Sequence, residues 1–230
     1  MKPQDLDFFY KFGDRKPILR DRILCVPRHY QEHDNSVLPD LRKNIFENEN
    51  PIYIEFCSGN GEWISRCAME NPDINWIAVE RKFTRVRKIW SKMKNHNLKN
   101  LFIVCGNAEE FCGHYLKENI VDEIYINFPD PWPKLRHEKH RLIKASFVEQ
   151  VALIAKENAR IYIVTDDFPY AQQSIDEMEK NKDFRAAHKS PHYVNEMKEY
   201  GSSYFNRLWV EMGREIFYIK YEREPRYVHT

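Results

Sequence analysis

From residue 51 onward, short apolar segments alternate with longer segments of helical periodicity, and this alternation constrains the fold more than any other feature. Predicted strands cover residues 51–56, 74–80, 101–105, 121–128, 160–164 and about 214–222. Helices are predicted up to about residue 70 and over residues 82–96, 108–117, 142–157 and 168–181. Strands separated by helices of these lengths form parallel units with right-handed crossovers. The sequence therefore predicts an α/β fold with a mostly parallel sheet and helices on both faces.

The first 50 residues lack this periodicity and mix aromatic, charged and proline residues. We interpret residues 1–50 as an N-terminal arm laid over the domain that residues 51–230 form, and the pattern leaves open whether part of the arm is mobile. No apolar run approaches the ~20 residues that span a bilayer, so no membrane partner is expected. The five cysteines show no metal-binding spacing, so we expect reduced cysteines, no metal and a cytoplasmic protein.

The distribution of charge is more informative than the formal net charge of +1. Residues 81–99 hold eight Lys or Arg and no acid, and residues 134–144 hold five more against Glu138 alone. A nearly neutral protein with two basic segments can bind phosphate groups through one face. The basic face of helix 82–96 is therefore a candidate phosphate-binding surface, although a merely solvated helix face gives the same pattern.

Polar groups follow three predicted strands at their carboxyl ends, where open α/β sheets bind ligands. E-F-C-S-G-N-G at 55–61 is a loop whose glycines let the backbone approach a ligand at a helix N-terminus. Glu80 is placed to accept hydrogen bonds from ribose hydroxyls, and the Asn107 amide can pair with an adenine edge. Each feature also fits a structural role, as a tight turn, a neighbour of a helix start or a helix cap. Their order along three strands favours an adenosine-containing cofactor.

The fourth predicted strand ends abruptly at Pro129-Asp130-Pro131. Each proline fixes its own φ and restricts the residue before it, so the Asp130 carboxylate is held in a stiff turn at a strand end. A tryptophan and the basic residues of 134–144 follow directly. This combination indicates chemistry on a polyanion, and the structural alternative is a proline-rich turn before a solvated helix.

F-P-D-P-W-P-K at 128–134, followed by His137 and Arg141, closely resembles the tRNA (guanine-N7)-methyltransferases, as does T-D-D-F-P-Y at 165–170. The resemblance covers about residues 50–222, and the first motif is highly specific. It implies a Rossmann-like class I methyltransferase fold that uses S-adenosylmethionine. It also implies methylation of the guanine at position 46, in the variable loop of tRNA. The expected partner is therefore tRNA and not DNA, with the protein a monomer or a homodimer.

The same resemblance implies a role for individual residues. Asp130 resembles the catalytic residue. The cofactor-binding positions it implies are Glu55, Glu80, Asn107, Ala108 and Asp130. The substrate contacts it implies are Lys134, Asp166, Ser203, Tyr204, Phe205 and Asn206. Two departures stand out, because Cys57 replaces the first glycine of the family's loop and Ser203–Asn206 departs from the family's T-K-F-E.

Guanine N7 carries an in-plane lone pair and no hydrogen, so its methylation requires no prior deprotonation. Catalysis is then expected to come mostly from alignment of the reacting atoms, with Asp130 offsetting positive charge as N7 is methylated. Two other functions compete with this hypothesis. One is a small-molecule methyltransferase or aminopropyltransferase, which the cations beside Asp130 disfavour. The other is an RNA-binding module of methyltransferase fold that has lost its activity.

Overall fold

The structure is a computed structural model that describes residues 1–7, 16–27, 38–201 and 203–225. The side chains of Leu135, Tyr204 and Phe205 lie outside this description. The chain divides into two compact units, Met1–Leu116 and Lys117–Thr230.

Among its described residues, the first unit contains five strands and three α-helices. The strands are β1 (Ile18–Arg20), β2 (Ile23–Cys25), β3 (Ile52–Phe56), β4 (Asn75–Glu80) and β5 (Leu101–Cys105). The helices are α1 (Glu62–Glu70), α2 (Phe83–Asn95) and α3 (Ala108–Tyr115). Strands β2, β5, β4 and β3 lie side by side in that order and run parallel, and β1 pairs antiparallel with β2. The predicted strands and helices between residues 51 and 116 are therefore confirmed to within two residues at most ends.

Helix α2 shows how the apolar pattern positions these elements. Its residues Val86, Ile89, Trp90 and Met93 recur every three or four positions, and all four are buried. Phe83, at the start of the same stripe, is half-buried. Every residue of β4 and β5 is buried, as expected for central strands covered on both faces.

Part of the predicted N-terminal arm belongs to this sheet. Strand β2 pairs in parallel with β5, with Ile23 opposite Ile103 and Cys25 opposite Cys105. The start of the chain contacts helix α2, because the Leu6 carbonyl accepts a hydrogen bond from Nε of Arg87 at 2.8 Å. Strands of three residues are too short to produce a periodic pattern, which is why the sequence predicted none here. Residues 8–15 and 28–37 of the arm lie outside the described residues.

The second unit contains the remaining elements. Its strands are β6 (Val121–Asn127), β7 (Ala155–Thr165), β8 (Phe184–Ala186), β9 (Tyr193–Val194) and β10 (Phe217–Arg223). Its α-helices are α4 (Ala145–Ile154), α5 (Phe168–Glu179) and α6 (Tyr204–Glu211). Strand β7 pairs in parallel with β6 and antiparallel with β10, which also pairs with β8 and β9. The α/β class with mostly parallel central strands is confirmed.

The largest boundary error lies between the fourth predicted helix and the strand that follows it. The sequence predicts a helix to residue 157, but α4 ends at Ile154 and β7 begins at Ala155. Residues 155–157 are Ala, Lys and Glu, which have high helix propensity. Pairing overrides that propensity, because Ala155 lies opposite Val121 and the Ile120 N–H donates to the Ile154 carbonyl at 2.9 Å. The sequence analysis missed helix α6, although apolar residues recur at helical spacing in this segment, namely Phe205, Leu208, Trp209 and Met212.

Among the described residues, no helix combines the length and the apolar character needed to cross a membrane.

Candidate active site

The glycine loop connects β3 to α1 through a tight, internally bonded turn. The Ser58 hydroxyl donates to the Glu55 carbonyl at 2.9 Å, and the Gly61 N–H donates to the Ser58 carbonyl at 2.8 Å. Gly61 has a φ of 69°, and a Cβ added there would lie 2.6 Å from Cγ1 of Ile89 on α2. Only glycine fits both the left-handed conformation and this close approach. The loop is thus held against α2.

Glu80, at the carboxyl end of β4, fixes this loop. Its Oε2 accepts from the Gly59 N–H at 2.9 Å, and its Oε1 accepts from the Lys82 N–H at 2.7 Å. Arg85 lies close by, with its Nη1 3.6 Å from Oε2. The buried carboxylate therefore joins the glycine loop to the first turn of α2. Each oxygen has a second lone pair with which it can accept from a ligand hydroxyl.

Lys92 on α2 also supports the glycine loop. Its Nζ donates to the Asn60 carbonyl at 2.9 Å, and the side chain is half-buried. Burial lowers the pKa of Lys92, the Lys88 charge lowers it further, and Glu62 opposes the shift. On the candidate phosphate-binding face of this helix, three cations contact their own chain, namely Arg85, Arg87 and Lys92. Phosphate binding by this face stays a prediction. Sequence shows where charge lies along a helix but not what each long side chain reaches.

Asn107 and Ala108 follow β5 and begin α3. The Asn107 side chain caps the helix, since its Oδ1 accepts from the Glu109 N–H at 2.8 Å. This is the helix-cap role that the sequence left open, and it leaves the Nδ2 group as the donor of that side chain. Gly106 donates from its N–H to the Glu80 carbonyl at 3.2 Å. The glycine loop, Glu80 and Asn107 therefore lie together at one edge of the first unit.

Glu55 lies deeper than the other predicted cofactor residues. It is buried on β3, directly before the loop. The pKa of the nearby Cys67 thiol is raised to about 12 by burial, and Glu55 contributes to this shift through its charge.

The glycines, the helix N-terminus and the Glu80 carboxylate provide a cradle and acceptors that suit a nucleoside with free ribose hydroxyls. The residues present therefore fit the predicted adenosine-containing cofactor.

In the second unit, Asp130 lies in a turn bounded by two strained residues. Phe128 and Trp132 each have a φ of 45°, a conformation that costs a non-glycine residue roughly 1–2 kcal/mol. The Phe128 N–H donates to the Val164 carbonyl at 2.8 Å, which ties the turn to β7. The Asp130 side chain is exposed. The turn therefore presents this carboxylate at the carboxyl end of β6, as predicted.

Arg141 is the main structural support of this turn. It donates from Nε to the Pro131 carbonyl at 2.7 Å and lies within 3.3 Å of both Glu138 and Gln173. It is only 7% exposed. Arg141 therefore does not belong to the solvent-facing basic cluster that the sequence predicted. The exposed cations after Asp130 include Lys134, Arg136 and Lys139.

The predicted substrate residues of the second unit occupy two environments. Asp166 follows β7 and forms an ion pair with Arg214. Ser203 is buried and caps α6 by accepting from the Asn206 N–H at 3.1 Å. Asn206 is also buried, and its Nδ2 donates to the Tyr218 hydroxyl. Ser203 and Asn206 thus hold α6 in place in this structure, and for Tyr204 and Phe205 only the helical backbone is described.

Comparisons with known proteins identify the family to which the chain belongs. A family model described as "Putative methyltransferase" matches residues 49–219. A tRNA (guanine-N(7)-)-methyltransferase of Chlamydia felis (strain Fe/C-56) is 44% identical over 227 residues, which is 99% of this chain and 100% of the relative. The chain belongs to the tRNA (guanine-N7)-methyltransferase family. Another such enzyme, from Leptospira interrogans (serovar copenhageni), is 35% identical over 182 residues, covering 77% of this chain and 82% of the relative.

Solved structures support the fold of this methyltransferase-family chain. The 16S rRNA methyltransferase KamB matches with a TM-score of 0.58 at 16% identity, over 80% of this chain and 92% of that one. A 16S rRNA (adenine(1408)-N(1))-methyltransferase from Catenulisporales acidiphilia, solved with its cosubstrate SAM, matches with a TM-score of 0.57 at 14% identity. That match covers 93% of this chain and 99% of the other. The Rossmann-like class I methyltransferase fold is thereby confirmed.

Cys57 stands where the family's loop usually has glycine, and its backbone shows the consequence. Its φ is 63°, in the left-handed region that favours glycine. Cys57→Gly is therefore expected to raise the free energy of unfolding by about 1 kcal/mol, as the penalty of the left-handed conformation is removed. Urea unfolding measures this change. Cys57→Ala is the matched control, because it removes the thiol and keeps the Cβ; an equal gain for both variants would attribute the effect to the thiol instead.

Proposed function

We propose that this protein transfers a methyl group from S-adenosylmethionine to N7 of the guanine at position 46, in the variable loop of tRNA. The observation that carries this proposal is the exposed Asp130 carboxylate within the motif F-P-D-P-W-P-K. It lies in a turn between two residues whose backbone adopts the left-handed conformation. Family membership and the glycine loop fixed by Glu80 support it. The five cysteines form no disulfide, which fits a reducing compartment, and we propose a cytoplasmic location.

We assign cofactor binding to Glu55, Glu80, Asn107, Ala108 and Asp130. When bound, S-adenosylmethionine supplies the methyl group. Glu80 accepts from the ribose hydroxyls with the lone pairs that the Gly59 and Lys82 N–H groups leave available. The Asn107 Nδ2 group donates to the adenine ring, while its Oδ1 continues to cap α3. The Ala108 N–H, in the first turn of α3, is one of the amides that the helix itself does not use.

Asp130 is the proposed catalytic residue. Because guanine N7 has a lone pair and no hydrogen, the residue is not needed as a base. Its carboxylate holds the guanine in line and offsets the positive charge that N7 gains during methylation. The rigidity of the turn matters for this role, since a preorganised charge needs no rearrangement at the moment of reaction.

We assign tRNA binding to Lys134 and its exposed neighbours, Arg136 and Lys139, which follow Asp130 directly. Arg side chains match phosphate geometry, and Lys side chains supply point charges. The other substrate contacts implied by the family are Asp166, Ser203, Tyr204, Phe205 and Asn206. The buried positions of Ser203 and Asn206 give these two an indirect part, which is to hold α6.

One assay tests the function directly. The protein is incubated with S-adenosylmethionine labelled in its methyl group and an unmodified tRNA transcript, and the RNA is digested to nucleosides. We expect labelled 7-methylguanosine, which is lost when the guanine at position 46 is replaced by adenine. Label in another nucleoside would contradict the proposed target. Transfer to a small amine with no transfer to RNA would favour the small-molecule alternative, and tRNA binding without cofactor binding would favour an RNA-binding module.

Two lysines of α2, four positions apart, are expected to affect different ligands. Lys88 is exposed, and no partner for it exists among the described residues, whereas Lys92 supports the glycine loop. Lys88→Ala should weaken tRNA binding and lower the slope of log K against log salt by up to about one. Lys92→Ala should instead weaken S-adenosylmethionine binding by about tenfold, since it frees the Asn60 carbonyl and loosens the loop. Salt titrations and calorimetry measure the two effects, and a solvated helix face predicts no change for Lys88→Ala.

A further inference from the structure

Arg214 is held in an unusual environment within the second unit. Its guanidinium carbon lies 4.1 Å from the centre of the Trp209 ring, which is stacking distance. Its Nη1 contacts Oδ2 of Asp166. The backbone N–H of Arg214 donates to the Trp209 backbone carbonyl at 2.8 Å. Within the described part of the chain, its Nε and Nη2 groups have no other partner. The side chain is nevertheless 48% exposed.

Burial differs sharply between the two members of this ion pair. The Asp166 side chain is only 13% exposed, so its carboxylate is largely shielded from solvent. A single surface ion pair contributes little to stability, about 0–1 kcal/mol. The pair fixes the plane of a long side chain that would otherwise adopt many rotamers. The arrangement is therefore a preorganised guanidinium lying on an indole.

The surroundings are those of a ligand-facing edge. Asp166 directly follows β7, and Phe217, three residues after Arg214, pairs with Thr165 at the carboxyl end of that strand. Phe168 contributes a further aromatic surface, with its ring centre 5.4 Å from that of Phe217. It is 49% exposed, which is high for a phenylalanine. Asp130 follows β6, the parallel neighbour of β7.

The charge balance indicates what this surface binds. Asp166 offsets the charge of Arg214, so the pair attracts a phosphate group weakly. Stacking of a base on a guanidinium plane or an aromatic ring requires no net charge and occurs widely where proteins bind unpaired nucleotides. A planar cation supported by an indole and paired with Asp166 suits the stacking of a base better than the binding of a phosphate.

We propose that Arg214, supported by Trp209, is a stacking platform for an unpaired base of the RNA substrate, and that Asp166 is the positioning residue that orients it. The proposal rests on the proposed function, because it takes tRNA as the substrate. It revises the expected role of Asp166 from a direct contact to an indirect one.

The test is a set of binding measurements with an unmodified tRNA transcript. Arg214→Ala and Arg214→Lys are both expected to weaken binding by about tenfold, because neither side chain offers a planar group for stacking. The slope of log K against log salt should stay the same. If Arg214 instead contacts a phosphate, Arg214→Lys should bind nearly as well as the wild type, and Arg214→Ala should lower the slope by almost one. That result would overturn the platform.

Asp166 is tested by a double-mutant cycle. Asp166→Asn should weaken tRNA binding in the wild-type background and have no further effect in the Arg214→Ala background, since its role passes through Arg214. Equal losses in both backgrounds would show a direct contact and contradict the positioning role. Neither substitution should change affinity for a fully paired RNA duplex, which offers no unpaired base.

Arg185→Ala is the matched control. Arg185 is also an exposed arginine in ion pairs, with Glu222 and Glu224, but it lies opposite Glu222 at the other end of β10. Its replacement should leave tRNA affinity unchanged, and a loss equal to that of Arg214→Ala would mean that any surface cation has this effect. Methylation of the same transcript by the wild type separates the two proposals. If the wild type methylates tRNA but Arg214→Ala binds it normally, only the platform fails; if the wild type neither binds nor methylates it, both fail.

Discussion

Asp130→Asn is expected to reduce the rate of methyl transfer about a hundredfold while changing tRNA affinity much less. The substitution keeps the shape of the side chain and removes its charge. An electrostatic contact made chiefly in the transition state contributes roughly 10²–10³ to the rate. Loss of turnover without a matching loss of binding is the pattern of such a contact.

Asp130→Ala should lose more, since the turn leaves no other carboxylate to take its place. The left-handed residues Phe128 and Trp132 and the two prolines fix the backbone on both sides, so a neighbouring acid cannot shift into position. Single-turnover methylation with saturating tRNA and cofactor measures the chemical step. Asp73→Asn, at an exposed position in the other unit, should behave like the wild type. Wild-type rates for both Asp130 variants would leave this residue as a turn former only.

Glu80→Ala is expected to weaken S-adenosylmethionine binding by about a hundredfold and to lower the stability of the protein as well. From the sequence alone, only the loss of an acceptor for the ribose would be expected. The structure adds a second effect, because the Gly59 and Lys82 N–H groups both lose their acceptor. A buried donor left unpaired costs about 1–3 kcal/mol.

Glu80→Gln should have an intermediate effect, since an amide offers one oxygen for two backbone donors and turns its NH₂ group toward the other. Calorimetry measures cofactor affinity, and urea unfolding measures stability. Arg85→Ala is the control, because it removes only the partly exposed ion pair at 3.6 Å and keeps both backbone acceptors. Its expected effect is below about 1 kcal/mol. Cofactor affinity that does not respond to Glu80→Ala would remove this residue from the site.

The sequence predicted most of the fold because burial imposes a period on apolar residues. The stripe of Val86, Ile89 and Met93 fits a helix with one buried face. The fully apolar run of β5 fits a buried strand. The prediction from sequence is wrong where strand pairing competes with helix propensity. The start of β7 at Ala155 depends on a neighbouring strand that a local pattern does not contain.

For the candidate site, sequence identified which polar residues follow strand ends but not what their side chains reach. Glu80 was identified because its position relative to the glycine loop has a chemical meaning. The hydrogen bond from Arg141 to the Pro131 carbonyl and the ion pair of Arg214 with Asp166 were not identified, because both join residues separated by many positions in the chain. Long cationic side chains bury their stems and reach distant acceptors, so the direction of a charge follows from packing alone.

The pairing of β2 with β5 determines how far the chain can be shortened. A version starting at residue 51 would keep every residue assigned to the site, but it would strip the outer neighbour from β5. The Ile103 N–H, which donates to the Arg22 carbonyl at 2.9 Å, and the Cys105 carbonyl, which accepts from Val26, would lose their partners. An apolar edge with unpaired backbone groups is a template for self-association. Any shortened enzyme intended to stay monodisperse must therefore retain residues 16–27.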